Sequence, residues 1–558
     1  MPPIYSKELK TLYIHHSGQF RQTRTSPCEE KCLVGNSIQK MHTLLSEGKT
    51  DEALLWLHAR NPFPGVTGRV CPHPCEKACN RAKHDDPMAV HSLERFAADN
   101  GHSAVLKPLP PSGKKIAVIG AGPAGLSAAR FSALLGHAVE VYESSPVMGG
   151  APRQVIPDFR LPKDVVDRET AAAIEGSVTV FTNITVGKDI FLADMLPRYD
   201  ACLIAAGLWK ERILNIPGKE FLQPAVSWLK RMTLDRESFE GRDVVILGGG
   251  GVAFDCAFTA VRLKAHSVHL ICLEDDTCMR APVEEVLQAR EEGIFLHQSM
   301  LSRSVEKAGG RFCVSAEKVK SFRFDETGSL HIESAGEPAL RLEADCVICA
   351  SGLMLDDTVV SGIEVERTMR GMIKVDGVFA TSVPGLFAAG DSAFGPGLVG
   401  SAIKSGREAA VALHSFLTGE QGALEVSVNG EGRIAVSAAP KAMPAHVVAV
   451  EEMMNIDYHE HAPREMQPKN AALHGVAFHE LERGFSPEQA VREASRCMHC
   501  GHCMECGSCV ESCPGHILEM GDDGPFVAYP AQCWHCGCCR IACPTGSIAY
   551  RFPLTMML

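Results

Sequence analysis

The chain has 558 residues, 45% of them apolar and 22% charged, which is the make-up of a globular protein and, at roughly 150 residues per domain, of about three or four domains. A net charge of −12 with no long basic tract excludes the electrostatic footprint of a nucleic-acid binder. No run approaches the roughly 18 apolar residues of a membrane span, and "MPPIYSKELK" lacks the charged-then-apolar order of a signal peptide, so the cytoplasm is the expected compartment.

Cysteine is the loudest signal: 23 residues, five in the first 80 positions and eleven between Cys497 and Cys543. In a reducing compartment clustered thiols point to metal rather than disulfides. The first group is Cys28-x3-Cys32 followed by Cys71-x3-Cys75-x3-Cys79, five ligands that exceed one cluster and fall short of two. Between them, apolar spacing from Ile38 to about Arg60 predicts two short helices, giving a helical, metal-held domain over residues 1–105. "LKPLPPSGKK" reads as a linker. The seven scattered cysteines (Cys202, Cys256, Cys272, Cys278, Cys313, Cys346, Cys349) are expected to be small core residues.

From Lys114 the text alternates β and α, beginning with the buried strand "KIAVIG". The stretch "IAVIGAGPAGLSAARFSALLGHAVEVYE" is a strand, a G-x-G-x-x-G turn (Gly120, Gly122, Gly125, with Pro123 and Ala124 inside it), a helix and a second strand ending in Glu143. Glycines let the backbone approach a pyrophosphate, the helix N-terminus faces its charge, and Glu143 can bond an adenosine ribose. Far downstream, "VPGLFAAGDSAFGPGLVGSAIKSGREAA" resembles the second FAD segment of two-dinucleotide-domain flavoproteins, which implies that the first turn holds FAD and that Gly390 and Asp391 complete the site. The FAD domain is thus expected in two parts, 113–215 and 351–418.

Between those parts, at 216–350, "DVVILGGGGVAFDCAFTAVRLKAHSVHLICLE" repeats the pattern with Gly248, Gly250, Gly251 and Ala253, as expected for a nested nicotinamide site. The second strand runs into Glu274, Asp275 and Asp276. A carboxylate there accepts from both ribose hydroxyls of NAD(H), whereas the 2′-phosphate of NADP(H) would meet it at a cost on the order of 4 kcal/mol. NAD(H) is therefore favoured, with Arg280 close enough in sequence to weaken the preference. Cys346 and Cys349 lie in one apolar strand and alternate faces, so they do not form a redox pair beside the flavin. Electrons need another exit.

After Thr418 the chain reads as an irregular linker over 419–485, with helix returning at "SPEQAVREASR", where Ser486 is the expected N-cap and Glu488 lies in the first turn. The tail, 486–558, carries Cys503, Cys506, Cys509, Cys513-Pro and Cys533, Cys536, Cys539, Cys543-Pro, each spaced x2, x2, x3. This is the bacterial two-cluster ferredoxin run, in which the fourth cysteine serves the other cluster. One [4Fe–4S] set is then Cys503, Cys506, Cys509 and Cys543, and the second is Cys533, Cys536, Cys539 and Cys513. Structural zinc competes for any C-x-x-C pair but does not call for doubled spacing. Cys538 fits neither run.

"NPFPGVTGRVCPHPCEKAC", "LERFAAD", "KKIAVIGAGPAGLSAA" and "IPDFRLPK" together resemble the glutamate synthase small-subunit family over roughly residues 25 to 415. Its relatives include the N-terminal half of dihydropyrimidine dehydrogenase and the large subunit of NADH-dependent ferredoxin:NADP oxidoreductase. The resemblance implies a multidomain α/β fold: two nested Rossmann-like domains, an N-terminal α-helical iron–sulfur domain and a C-terminal α+β bacterial-type ferredoxin domain. It also implies cofactor positions at Gly149, Gly150 and Arg160. NADP-using members carry an arginine pair where this chain has Glu274 and Asp275, and members with two N-terminal clusters carry R-C-x-x-C-G before the counterpart of Cys28. That element is missing upstream here and reappears as "SRCMHCG" at 495–501. By resemblance, Cys497 and Cys500 would complete a cluster with Cys28 and Cys79, and Cys32, Cys71 and Cys75 would take Glu94 as a fourth ligand, making four [4Fe–4S] clusters in all.

The expected function is hydride transfer between NADH and FAD and single-electron transfer through the clusters to a ferredoxin-like acceptor or to other subunits of a redox complex; the apolar tail "YRFPLTMML" is suited equally to docking a partner and to packing on the ferredoxin fold. Three alternatives stay open: a glutamate synthase small subunit, the nicotinamide-binding part of a flavin-bifurcating transhydrogenase, and a non-enzymatic iron–sulfur scaffold or sensor.

Overall fold

In the computed structural model the two cysteine-rich ends of the sequence meet. The structure describes residues 4–6, 11–14, 24–102, 106–326, 330–335, 340–420, 424–428, 432–438, 446–468, 478–521, 524–529 and 532–550. The apolar tail after Tyr550 lies outside them.

The predicted pair of helices forms at Ile38–Ser46 and Thr50–His58. Apolar spacing turns Ile38, Met41 and Leu45 to one face, where they pack with Leu57, Leu93 and Phe96, the last two from the helix Val90–Asn100. The same core takes in Phe485, Ala490 and Ala494, so the helix Pro487–Ser495 closes the N-terminal domain although it follows it by some four hundred residues. Ser486 caps that helix in a capping box with Gln489. Glu493, fully buried, accepts from the backbone N–H groups of Ala89 (2.7 Å) and Glu465 (2.9 Å) and from Arg496 (2.8 Å). Arg496 in turn reaches Asp85 at 3.0 Å, and Asp85 pairs with Arg81 at 2.7 Å. A buried charge chain of this kind holds only while every member is paired; losing one partner costs about 3–5 kcal/mol.

Two parallel sheets occupy the middle. In the first, the strand order is Leu386–Ala388, Ala201–Ile204, Lys115–Ile119, Ala138–Tyr142, Val178–Phe181. In the second it is Phe295–His297, Ser267–Ile271, Asp243–Leu247, Cys346–Cys349, Gln223–Pro224. All strands of the second sheet fall in sequence between Ile204 and Leu386 of the first, which is the nested arrangement. Cys346 and Cys349 face opposite cores. Of the scattered cysteines five are buried; Cys313 is partly buried and Cys278, in the turn after the second sheet's strand, is exposed.

The stretch expected to be irregular carries a hairpin of two antiparallel strands, Leu424–Val428 with Ile434–Ala438, of alternating sequence "LEVSV" and "IAVSA". Beyond Gly501 the chain forms two short helices, Ser508–Glu511 and Cys538–Ile541, and the hairpin Leu518–Gly521 with Gly524–Val527, around a core of Cys509, Leu518, Cys539, Cys543 and Ile548. No helix among the described residues is long and apolar enough to cross a membrane.

Candidate functional site

The first glycine turn sits at the C-terminal end of Lys115–Ile119, where open α/β sheets place their ligands. Gly120 has φ +104°, and a Cβ there would stand 2.5 Å from the Ala205 carbonyl oxygen; a Cβ on Gly125 would stand 1.9 Å from the Gly120 carbonyl oxygen. Glu143 is buried beneath the turn and accepts from the N–H groups of Ala121 (2.7 Å) and Ser145 (2.8 Å). Gly149 donates to the Ala121 carbonyl at 2.8 Å, and Gly150 comes so near Gly122 that a Cβ would lie 2.8 Å from its Cα. Pro123 opens the helix Pro123–Leu134.

The distant segment joins this cradle. Gly390 (φ +64°) leaves room for only hydrogen against the Ala124 Cβ, at 2.8 Å, and its N–H is held by the Ser405 hydroxyl at 2.9 Å. Asp391 begins the short helix Asp391–Phe394, and burial pushes its carboxyl up to about 6 against a hydrogen bond from Gly397. The helix Val399–Thr418 then crosses Pro123–Leu134 at contact distance, with Gly406 on the Ala124 carbonyl. Glycine backbone exposed to a surface where side chains would block it is the shape a dinucleotide needs.

In the second sheet Gly248 has φ +139° and Gly250 has φ −89°, and a Cβ on Gly250 would meet nothing within 4 Å. Gly251 opens the helix Gly251–Arg262 and Ala253 is fully buried beneath it. The Glu274 carboxylate folds back over the turn, 2.6 Å from where a Gly249 Cβ would be, and Arg280 stands 3.6 Å from it. Asp275 and Asp276 turn away, the former to Thr277 and the latter to Arg290 at 2.7 Å.

Arg160 is not in either cradle. Its guanidinium pairs with Asp255 and Glu285, both at 2.5 Å, and so joins the first dinucleotide domain to two helices of the second. Phe159 beside it packs on Phe258, with the Arg262 guanidinium 3.9 Å over its ring. Burial, opposed by Arg160, holds both the Asp255 and Glu285 carboxyls above their ordinary range, Glu285 to about 7.

Fifteen of the cysteines, with Glu94, line four cavities. One is lined by Cys32, Cys71, Cys75 and Glu94. A second is lined by Cys28, Cys79, Cys497 and Cys500. A third has Cys503, Cys506, Cys509 and Cys543, and a fourth Cys513, Cys533, Cys536 and Cys539. Burial raises the Cys71, Cys500, Cys509 and Cys539 thiols to about 12, with repulsion from neighbouring thiols and carboxylates adding to it, whereas at Cys543 hydrogen bonds with Ser547 and Thr545 outweigh burial and lower it. A cavity that crowds several buried thiols fits a group that supplies positive charge at its centre, as an iron–sulfur cluster does. The loops are shaped for that: His73, His499, Glu505 and His535, one inside each cysteine pair, have φ of 42°, 48°, 60° and 55°. Backbone N–H groups of Asn36, Glu505 and Ile517 point at the sulfurs of Cys32 (3.3 Å), Cys503 (3.4 Å) and Cys513 (3.4 Å).

Glu94 is buried, and its Oε1 accepts from Asn36 (2.9 Å), Asn61 (2.9 Å) and Thr67 (2.7 Å). These three donors escaped the sequence reading, although Asn61 and Thr67 lie in the motif "NPFPGVTGRVC". No described residue bonds Oε2. Arg407, on the helix after Asp391, donates to the carbonyls of Val34 (2.9 Å) and Arg60 (2.7 Å), tying the flavin-side helix to the loop after Cys32.

Residues 114–406 match the family described as pyridine nucleotide-disulphide oxidoreductase. Residues 13–105 match the dihydropyrimidine dehydrogenase domain II, 4Fe-4S cluster family, and residues 502–548 the 4Fe-4S dicluster domain. The chain is 33% identical over 513 residues to the NADP(+)-dependent formate dehydrogenase subunit beta of Moorella thermoacetica, covering 85% of this chain and 70% of that one. It is 30% identical over 521 residues to the NADPH-Fe(3+) oxidoreductase subunit beta of Geobacter sulfurreducens (86% and 76% covered). It is 32% identical over 424 residues to the glutamate synthase [NADPH] small chain of Mycobacterium tuberculosis (70% and 86%). With a dinucleotide cradle in each sheet and cysteine-lined cavities at both ends, the chain belongs to the pyridine nucleotide-disulphide oxidoreductase family, as a flavin oxidoreductase with flanking 4Fe-4S domains.

Proposed function

We propose that this chain is the subunit through which a larger redox complex exchanges electrons with NAD(H), by way of FAD and four [4Fe–4S] clusters, toward a protein acceptor or in reverse. The observation that carries the reading is the grouping of fifteen cysteines and Glu94 into four cavities of four ligands each. The chemistry these groups supply when bound is two-electron exchange with the nicotinamide and one-electron exchange beyond it.

The protein's part is to hold the groups in series. Gly120, Gly122, Gly125, Gly150 and Gly390 keep side chains out of the FAD cradle, and Arg407 and Gly400 press the flavin-side helix onto Leu33 and Val34, next to Cys32. Val90 lines both N-terminal cavities, and two residues separate Cys500 of the second from Cys503 of the third. A relay in the order flavin, Cys32 set, Cys28 set, ferredoxin sets follows from these adjacencies. The names of the Moorella and Geobacter relatives, both beta subunits, support a multi-subunit setting.

Those names specify NADP(H), yet Glu274 supports NADH here. Its carboxylate occupies the ribose end of the turn, and Arg280, paired with it, is spent on neutralising it. Anaerobic titration of the protein with NADH and with NADPH, following flavin bleaching and then cluster reduction, tests the whole assignment. Bleaching by NADH that stops at the flavin, with fully loaded clusters, would refute the relay. Iron content unchanged by Cys497→Ser with Cys500→Ser would refute the shared N- and C-terminal cluster.

A further inference from the structure

His42 lies on the helix Ile38–Ser46 and is 1% exposed, and its ring lines the cavity formed by Cys28, Cys79, Cys497 and Cys500. Neither ring nitrogen has a partner among the described residues. Leaving a buried donor unmet costs about 1–3 kcal/mol, and the helix neighbours Met41, Leu44 and Leu45 are apolar. Cys28 already has the Ser26 hydroxyl at 3.2 Å and Cys500 the Asn80 amide, and the side-chain amides and guanidinium around the cavity also have partners elsewhere. Gln39 gives its amide to the Cys500 carbonyl at 2.8 Å, Asn80 to the Val448 carbonyl at 2.8 Å, and Arg81 to Asp85 at 2.7 Å. An imidazole, neutral or protonated, keeps at least one N–H to give.

We propose that His42 is a positioning residue that donates its ring N–H to a sulfur of the cluster held by Cys28, Cys79, Cys497 and Cys500, and thereby raises that cluster's reduction potential. A hydrogen bond to sulfur stabilises the reduced, more negative state, which is why such bonds set cluster potentials. The inference rests on the four-cluster assignment proposed above.

The test uses the full chain, anaerobically loaded, with iron counted first and the clusters then titrated potentiometrically under electron paramagnetic resonance. His42→Leu is expected to shift one cluster to lower potential by about 59 mV, a tenfold fall in its reduced-to-oxidised ratio at fixed poise, with the others unmoved. His42→Gln, which keeps an N–H, is expected to hold most of the wild-type value. Potentials identical to wild type in the leucine variant, or an equal shift in the glutamine variant, would overturn the proposal. Isotopically labelled histidine gives a second readout: one reduced cluster of the unsubstituted protein should show a nitrogen hyperfine coupling that His42→Gln abolishes. If the leucine variant loses iron, absence of that coupling decides against His42. Unsubstituted protein with too little iron for four clusters would refute the underlying assignment instead.

Discussion

Gly406 is the point where two helices of the flavin domain touch backbone to backbone. A Cβ there would stand 2.0 Å from the Ala124 carbonyl oxygen, 2.9 Å from its carbonyl carbon and 3.1 Å from its Cα. Ordinary contact begins near 3.4 Å, so Gly406→Ala must part Val399–Thr418 from Pro123–Leu134 by more than 1 Å. Alanine gains about 1 kcal/mol of helix propensity at the site. Overpacking a rigid contact costs about 1–3 kcal/mol or more, and here no flexible side chain can give way, so the upper end applies and the sum is destabilising by about 2 kcal/mol. At about 2–4 °C per kcal/mol for a domain of this size, flavin release should move down by about 4–8 °C. Because Ala124 belongs to the glycine turn and Gly390 also rests on it, bound FAD should fall as well. Flavin fluorescence during a thermal ramp and flavin absorbance per chain after gel filtration measure both. A variant with full FAD and an unchanged or higher transition would refute the reasoning.

The same substitution at Gly250 should behave oppositely, since a Cβ there meets nothing within 4 Å and φ is −89°. Gly250→Ala is expected to keep its FAD and thermal transition while its KM for NADH rises at least about tenfold, because the pyrophosphate must approach that face; an unchanged KM would show that the dinucleotide binds elsewhere. Glu274→Ser frees Arg280 for a 2′-phosphate and should move the NADPH-to-NADH ratio of kcat/KM up by about tenfold or more; steady-state assays with both nucleotides check it, and an unmoved ratio counts against Glu274 as the selector. Arg160→Met leaves Asp255 and Glu285 buried without a cation, at about 3–5 kcal/mol when both are ionised. Their folded-state carboxyl values are raised, so their share of stability is present at low pH and lost as pH rises through the folded value, about 7 for Glu285. The variant's melting temperature should therefore fall further below the unsubstituted protein's at pH 8 than at pH 5; a constant gap would contradict this.

What could be read from the sequence was local. Glycine turns, the acid at the second strand end and the x2, x2, x3 cysteine runs each sit within about thirty residues, and the backbone geometry they require is written in the residues themselves. Ser486 as N-cap was legible for the same reason. Arg160 was not: its motif suggested a cofactor, but its partners Asp255 and Glu285 are 95 and 125 residues away, beyond any periodicity. Nor were Asn36, Asn61 and Thr67 as the clamp on Glu94, because polar residues acquire such a role only when a fold brings them to one oxygen. The hairpin after Thr418 was hidden by glycine and proline around two short alternating strands.

The helix Pro487–Ser495 and the pair Cys497 and Cys500 impose an order of synthesis. The Gln39 amide finds the Cys500 carbonyl 461 residues later, so on a ribosome Cys28 and Cys79 wait through almost the whole of translation for the other two cysteines that line their cavity. Until then the face of Ile38, Met41 and Leu45 lacks its cover of Phe485, Ala490 and Ala494. Under the assignment proposed above, loading of that cavity reports on synthesis as far as Cys500: a chain broken between the flavin domain and the helix Pro487–Ser495 lacks both the cover and two of the four ligands.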